Sequence, residues 1–196
     1  AGVSMISANN DQQFTIDGMD EMEIYGSGFS GGGRCAFLRV NKLCYGAVGV
    51  LVMLHCEGEE HTILTYQARV PVAIHNLPEI PAGMLDGSGN FRGVAADEIA
   101  EECDIVISED ELVDLTELAY GSKGKGMLPS AGGCDEFIRL YMFRREVERE
   151  VLTELEGRLT GLRSEGERIK LHIVPLEEAW RLSPDAKLLV YFQEDF

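Results

Sequence analysis

The stretch LPEIPAGMLDGSGNFRGVAADEIAEECDI, Leu77 to Ile105, decides how the rest of the chain is read. It opens as a strand, passes through a Gly-rich loop and enters a helix predicted over about Phe91 to Cys103. Residues three and four apart share a helix face, so Glu98 projects beside Glu101 and Glu102. The apolar row Ala95, Ile99 and Cys103, spaced by four, is displaced by one residue and predicts contact with a sheet. One helix thus turns an apolar stripe to a core and a carboxylate stripe elsewhere. Three converging carboxylates repel one another, and a hard divalent cation with oxygen ligands is the usual relief.

The surrounding composition limits what such a site can serve. With 196 residues and 45% hydrophobic content the chain can bury a proper core. Its net charge of −17 makes a nucleic-acid backbone an unsuitable partner, because phosphates are neutralised by Lys and Arg. A small phosphate ligand is compatible with that charge if a metal ion supplies the positive field locally. Five cysteines in scattered, mostly apolar settings form neither a zinc pattern nor a disulfide framework. They fit reduced thiols, and with them a cytoplasmic location. The longest apolar run, Ala47 to Leu54, is strand-sized, so no membrane partner is expected.

Outward from the central stretch, the pattern is strand-rich on the N-terminal side. Ala1 to Gln13 is polar and expected to be ordered only by contact with something else. Phe14 to Tyr25 holds a short strand, and Gly26 to Arg34 reads as a flexible turn, because the Lys-Ser/Thr of a phosphate loop is missing. Cys35 to Val40 and Tyr45 to His55 read as strands, and a turn at Glu57 to Glu60 returns the chain along His61 to Val70. On the C-terminal side, Leu112 to Tyr120 and Phe137 to Arg144 read as strands around the loop Gly121 to Gly133. Glu146 to Glu156 reads as a charged surface segment and Lys170 to Val174 as a strand. Helices are expected from Leu176 and over about Pro184 to Glu194. Strands first, then helices between later strands, predict an α+β or α/β/α layered fold. The division expected is an N-terminal extension over residues 1–45 and a main domain over 46–196.

The central stretch resembles the Nudix hydrolase signature, G-x5-E-x7-R-E-U-x-E-E-x-G-U, in which U is a bulky aliphatic residue. Gly83, Glu98, Ile99, Glu101, Glu102 and Ile105 fall on it without a gap. Gly89 stands where a Glu is expected, Asp97 where the Arg is, and Asp104 where the last Gly is. Alone, E-x-x-E-E is common on solvated helices; its spacing from Gly83 and from the preceding E-I-P-A-G is what carries weight. Further runs, Gln67 to Pro71, Val113 to Leu115, Pro129 to Glu136, Thr160 to Arg163, Gly166-Glu167 and Asp185 to Lys187, resemble the ADP-sugar and UDP-sugar pyrophosphatase branch, plant type in particular.

That resemblance implies a Mg²⁺-dependent diphosphatase, with Mn²⁺ as a substitute, that splits a nucleotide sugar into a nucleoside monophosphate and a sugar phosphate. It implies metal ligation by the Ala82 carbonyl, Glu98 and Glu102, with Glu101 bridging or supporting. Glu136 takes the position of the catalytic base, Arg69 that of a basic contact to the diphosphate, and Glu79 and Gly83 line the substrate pocket. A homodimer is implied as well. The alternative implied by Asp97 is a catalytically impaired module that binds a nucleotide or a partner protein.

Overall fold

The computed structural model describes strand backbone within residues 3–39 and, with side chains, residues 46–85, 89–131, 136–162 and 167–190, apart from the side chains of 70 and 190. In the first of these parts β1 (Val3–Ala8), β2 (Asp11–Ile16), β3 (Met22–Gly26) and β4 (Ala36–Arg39) pair in sequence order as an antiparallel sheet. Ala1 to Gln13, expected to be ordered only by contact with something else, instead contributes to a hairpin of its own, with Val3 opposite Ile16 and Ala8 opposite Asp11. The Gly-rich turn expected after Gly26 lies outside the described residues.

The main sheet grows from one long hairpin. β5 (Ala47–Cys56) and β6 (Glu59–Arg69) turn at Glu57 and Gly58, both at positive φ (52° and 89°). They pair only near that turn, from Met53 opposite Thr62 to Cys56 opposite Glu59. Beyond it the two strands diverge, and the gap is filled by β7 (Ile74–Glu79) along β6 and β8 (Ala82–Met84) along β5. The crossing between them is Ile80-Pro81, and the Pro81 carbonyl accepts from Val50 N–H at 2.9 Å. Proline suits this position because its missing N–H leaves no ladder bond unmade.

On its other side β5 runs parallel to β10 (Ile138–Glu146), which pairs antiparallel with β9 (Leu112–Asp114). β6 pairs with β12 (Ile169–Pro175), and β12 with β11 (Leu159–Thr160). The sheet is therefore mixed, in the order β11-β12-β6-β5-β10-β9.

The period-two alternation of β5 divides the core between two faces. Val48, Val50, Val52 and Leu54 face α1 (Phe91–Cys103) and α3 (Arg149–Leu155), meeting Ala95, Ile99, Cys103, Leu152 and Leu155. Leu51 joins Leu64, Ile80, Ala179 and Leu188 on the face of α4 (Leu176–Leu182) and α5 (Ala186–Val190). This is the α/β/α sandwich expected. Between α2 (Leu115–Tyr120) and α4 the second face opens as a cleft of about 1170 Å³, floored by Leu51, Met53, Leu140 and Met142.

Two segments differ from the sequence reading. Leu112 to Tyr120 is not one strand: after the three residues of β9, Asp114 Oδ1 accepts from Glu117 N–H at 2.8 Å and starts α2. Glu146 to Glu156 is not a plain surface segment, because α3 buries Leu152 and Leu155, three apart on one face, in the first core. Both runs are short, and their apolar spacing fits a strand or a loop as well as a single helical turn or two.

Candidate active site

The site is assembled where the β7–β8 insertion meets α1. Asn90 caps α1, its side chain accepting from Gly93 N–H at 3.1 Å, and Ala95, Ile99 and Cys103 are fully buried beneath the helix. That anchoring fixes the helix rotation. It brings Glu98 and Glu102, one turn apart, over the backbone of Ala82 and Gly83.

Gly83 is the closest point of approach. A Cβ on Gly83 would fall 1.6 Å from Glu98 Oε1 and 1.9 Å from its carboxyl carbon, so the Glu98 carboxylate occupies the space that any other residue's side chain would need. Its neighbour Ala82 donates its N–H to Glu102 Oε2 at 2.9 Å. Glu102 is only 4% exposed. Burial pushes its carboxyl up to about 8; the Ala82 amide opposes that rise, Glu98 and Glu167 add to it, and the Arg69 guanidinium relieves it. A buried acid in that state favours the proton, because burial outweighs the relief from Arg69.

The sequence-predicted residues are not equally placed. Glu98, Glu102, Ala82 and Gly83 meet directly. Glu101 lies on the exposed side of α1, and its carbonyl accepts from Gly161 N–H at 3.2 Å. Arg69 and Glu79 are brought together with each other: Arg69 Nε donates to Glu79 Oε2 at 2.6 Å, while Glu79 itself is 5% exposed. Glu136 is half-buried just before β10. It stands two residues ahead of Ile138, which pairs with Ala47, the residue opposite Met84 of β8, so it emerges at the sheet end where β8 leaves for α1. The rest of the loop before Glu136, residues 132–135 and with them Cys134, lies outside the described residues.

Asp97, in the position of the signature Arg, is exposed and turned off the buried pair. Asp104 takes the left-handed conformation (φ 57°, ψ 35°) that ends α1 and pairs with Arg158 at 2.6 Å. Asp is among the few non-glycine residues that tolerate this geometry. Neither substitution disturbs the path of the helix.

Two charged residues were not singled out from sequence. Glu167, whose Oε2 accepts from Leu162 N–H at 3.1 Å, sits close enough to Glu102 to raise its pKa. Lys187 donates to Glu79 Oε1 at 3.3 Å from the opposite layer of the sandwich. Both lie in short runs used above only for resemblance. Their distance along the chain from residues 79–102 hides the contact.

The donor set fits a hard divalent cation. It consists of two carboxylates one helical turn apart, a backbone segment against them with no side chain in the way, and a low-dielectric floor. Among the described residues no three His, Cys, Asp or Glu side chains are already gathered as a cation cage. Cys56 and Cys103 are buried free thiols and take no part. No described helix is long and apolar enough to cross a membrane.

No protein-family model matches the chain. Among curated proteins it is similar to "Nudix hydrolase 14, chloroplastic" of Arabidopsis thaliana, with 44% identity over 145 residues, which cover 74% of this chain and 47% of that protein. The chain thus spans about half the length of the curated relative it matches.

Proposed function

We propose that this chain, homologous over most of its length to a Nudix hydrolase, is a divalent-cation-dependent pyrophosphohydrolase acting on nucleoside diphosphate sugars. The observation that carries the reading is the meeting of Glu98 and the buried Glu102 on the side-chain-free backbone at Ala82-Gly83. The alternative use of such carboxylates, a solvated helix face, does not account for an acid buried as deeply as Glu102.

In this reading the Ala82 carbonyl, Glu98 and Glu102 hold Mg²⁺ or Mn²⁺, with Glu101 supporting at the solvent side. The cation supplies positive charge against the diphosphate and lowers the pKa of a water. Arg69 binds a phosphoryl oxygen, and Glu79 and Gly83 line the wall. Glu136 accepts the proton of the attacking water as its oxygen forms a bond to one phosphorus, and the bridging P–O bond breaks. The products are a nucleoside monophosphate and a sugar phosphate. Most of the catalysis is positioning and charge neutralisation.

We place the protein in a reducing compartment, the cytosol or, as the name of its relative suggests, the chloroplast, and expect it to act as a homodimer. The extension over residues 1–45 is the candidate dimer contact and 46–196 the catalytic domain. A product assay on ADP-ribose, ADP-glucose and UDP-glucose with Mg²⁺ tests the reading. Metal-dependent release of AMP or UMP supports it. Thermal stabilisation by these ligands without any product would instead indicate an impaired, ligand-binding module, the outcome to which Asp97 points.

A further inference from the structure

Four charged side chains form a line through the sandwich from α5 to the candidate site. Asp185 Oδ2 pairs with Lys187 Nζ at 2.9 Å, Lys187 Nζ with Glu79 Oε1 at 3.3 Å, and Glu79 Oε2 with Arg69 Nε at 2.6 Å. Three members are nearly closed off from solvent, with side-chain exposures of 11% for Asp185, 13% for Lys187 and 7% for Glu79; Arg69 is 40% exposed. The line is built into the fold at each step. Ser183 donates to the Pro78 carbonyl and accepts from Asp185 N–H at 3.0 Å, which docks the α4–α5 link on β7. Asp185 Oδ1 accepts from Lys187 N–H at 3.2 Å, and the Lys187 stem runs over Gly49, where a Cβ would sit 3.5 Å from Lys187 Cδ.

A buried carboxylate demands a partner for each oxygen. Arg–carboxylate pairs are frequently two-pronged, with two Arg nitrogens on one carboxylate. Here Lys187 takes one oxygen, and Arg69 answers the other through Nε alone. Among the described residues no protein hydrogen bond reaches the two terminal nitrogens of Arg69. They form the outer end of the line, and the guanidinium lies within electrostatic reach of Glu102.

We propose that Lys187, held by Asp185, is a positioning residue for the reaction: by sharing the Glu79 carboxylate it keeps the terminal nitrogens of Arg69 free to bind a phosphoryl oxygen of the diphosphate. The inference rests on the proposed function only in taking Arg69 as the diphosphate contact. Asp185 keeps the Lys187 ammonium aimed, and Glu79 fixes the guanidinium plane.

The test is binding of the non-hydrolysable α,β-methylene-ADP with Mg²⁺ by calorimetry, alongside turnover of the preferred diphosphate sugar, in Arg69→Ala, Lys187→Gln and Lys187→Arg. Lys187→Gln is expected to weaken binding and raise KM by about tenfold, with kcat within about threefold of the parent. Lys187→Arg restores most of the loss. A purely structural role would lower the melting temperature without moving KM. Analogue binding unchanged in Lys187→Gln, or lost without rescue in Lys187→Arg, overturns the proposal. Binding that depends on Lys187 in a chain with no turnover would leave it standing while removing the hydrolase reading. Turnover indifferent to Lys187 would do the reverse, and a parent chain that does not bind the analogue at all would defeat it.

Discussion

Two residues carry most of the weight at the candidate site. Glu102 has a folded-state pKa of about 8 against an ordinary 4.5, so its folded form favours the proton. The sign follows from linkage: the unfolded chain releases that proton first, so the cation-free protein loses stability as pH rises from about 4.5 through about 8. The full loss is on the order of 5 kcal/mol. Glu102→Gln should flatten that slope in denaturant titrations at pH 5 and pH 8, with the fold intact, while abolishing turnover; a slope that persists in the variant would place its source elsewhere. Gly83→Ala should drive the Glu98 carboxylate from its seat, since the new methyl overlaps it. A fall in kcat/KM of about a hundredfold is expected with little change in secondary structure. Equal activity in glycine and alanine forms would mean that Glu98 has no fixed seat there. At this scale the sequence was highly legible. The spacing from Gly83 to Glu98 is set by one strand, one loop and one helix, all local. Lys187 and Glu167 were not legible as site residues, because Lys187 meets Glu79 across 108 positions.

The elements repeat that contrast. The helix expected over about Phe91 to Cys103 is observed there, because the spacing of Ala95, Ile99 and Cys103 fixes its apolar row. α2 was not legible, since the short run Leu112 to Leu118, apolar at 112, 113, 115 and 118, fixes neither period and only Asp114 marks the change. Asp114 has three tasks: it caps α2, pairs with Arg139 at 2.7 Å, and hydrogen-bonds with Tyr141, whose pKa burial, helped by that carboxylate, pushes up to about 12. Removing it strands Arg139, whose side chain is 15% exposed. Asp114→Ala is therefore expected to cost about 3–5 kcal/mol by chemical denaturation, well above the roughly 1 kcal/mol of a lost cap alone. A loss no larger than that of the cap would show that the Arg139 pair contributes little. The exposed pair of Asp104 with Arg158 should by comparison contribute under about 1 kcal/mol.

At the scale of the molecule, the sandwich separates binding surfaces by layer. The carboxylates stand on the α1 side of the β7–β8 insertion, while the large cleft between α2 and α4 opens on the opposite face of the sheet. The Asp185–Lys187–Glu79–Arg69 line crosses between the layers. The layering itself could be read from the order of strands and helices. The splitting of β5 from β6 could not, because it depends on two short strands filling a gap that no local pattern announces. The net charge of −17 would repel an anionic substrate unless cations gather at the acidic site. Mg²⁺ should therefore raise the melting temperature with the logarithm of its concentration above Kd, and a chelator should reverse it. The most direct test of the central claim is nucleoside monophosphate release from diphosphate sugars with Mg²⁺, measured on the parent chain, on Glu102→Gln, and in excess chelator. Release by the parent alone, and only with metal, is the predicted result; undiminished release in chelator or from Glu102→Gln would contradict it.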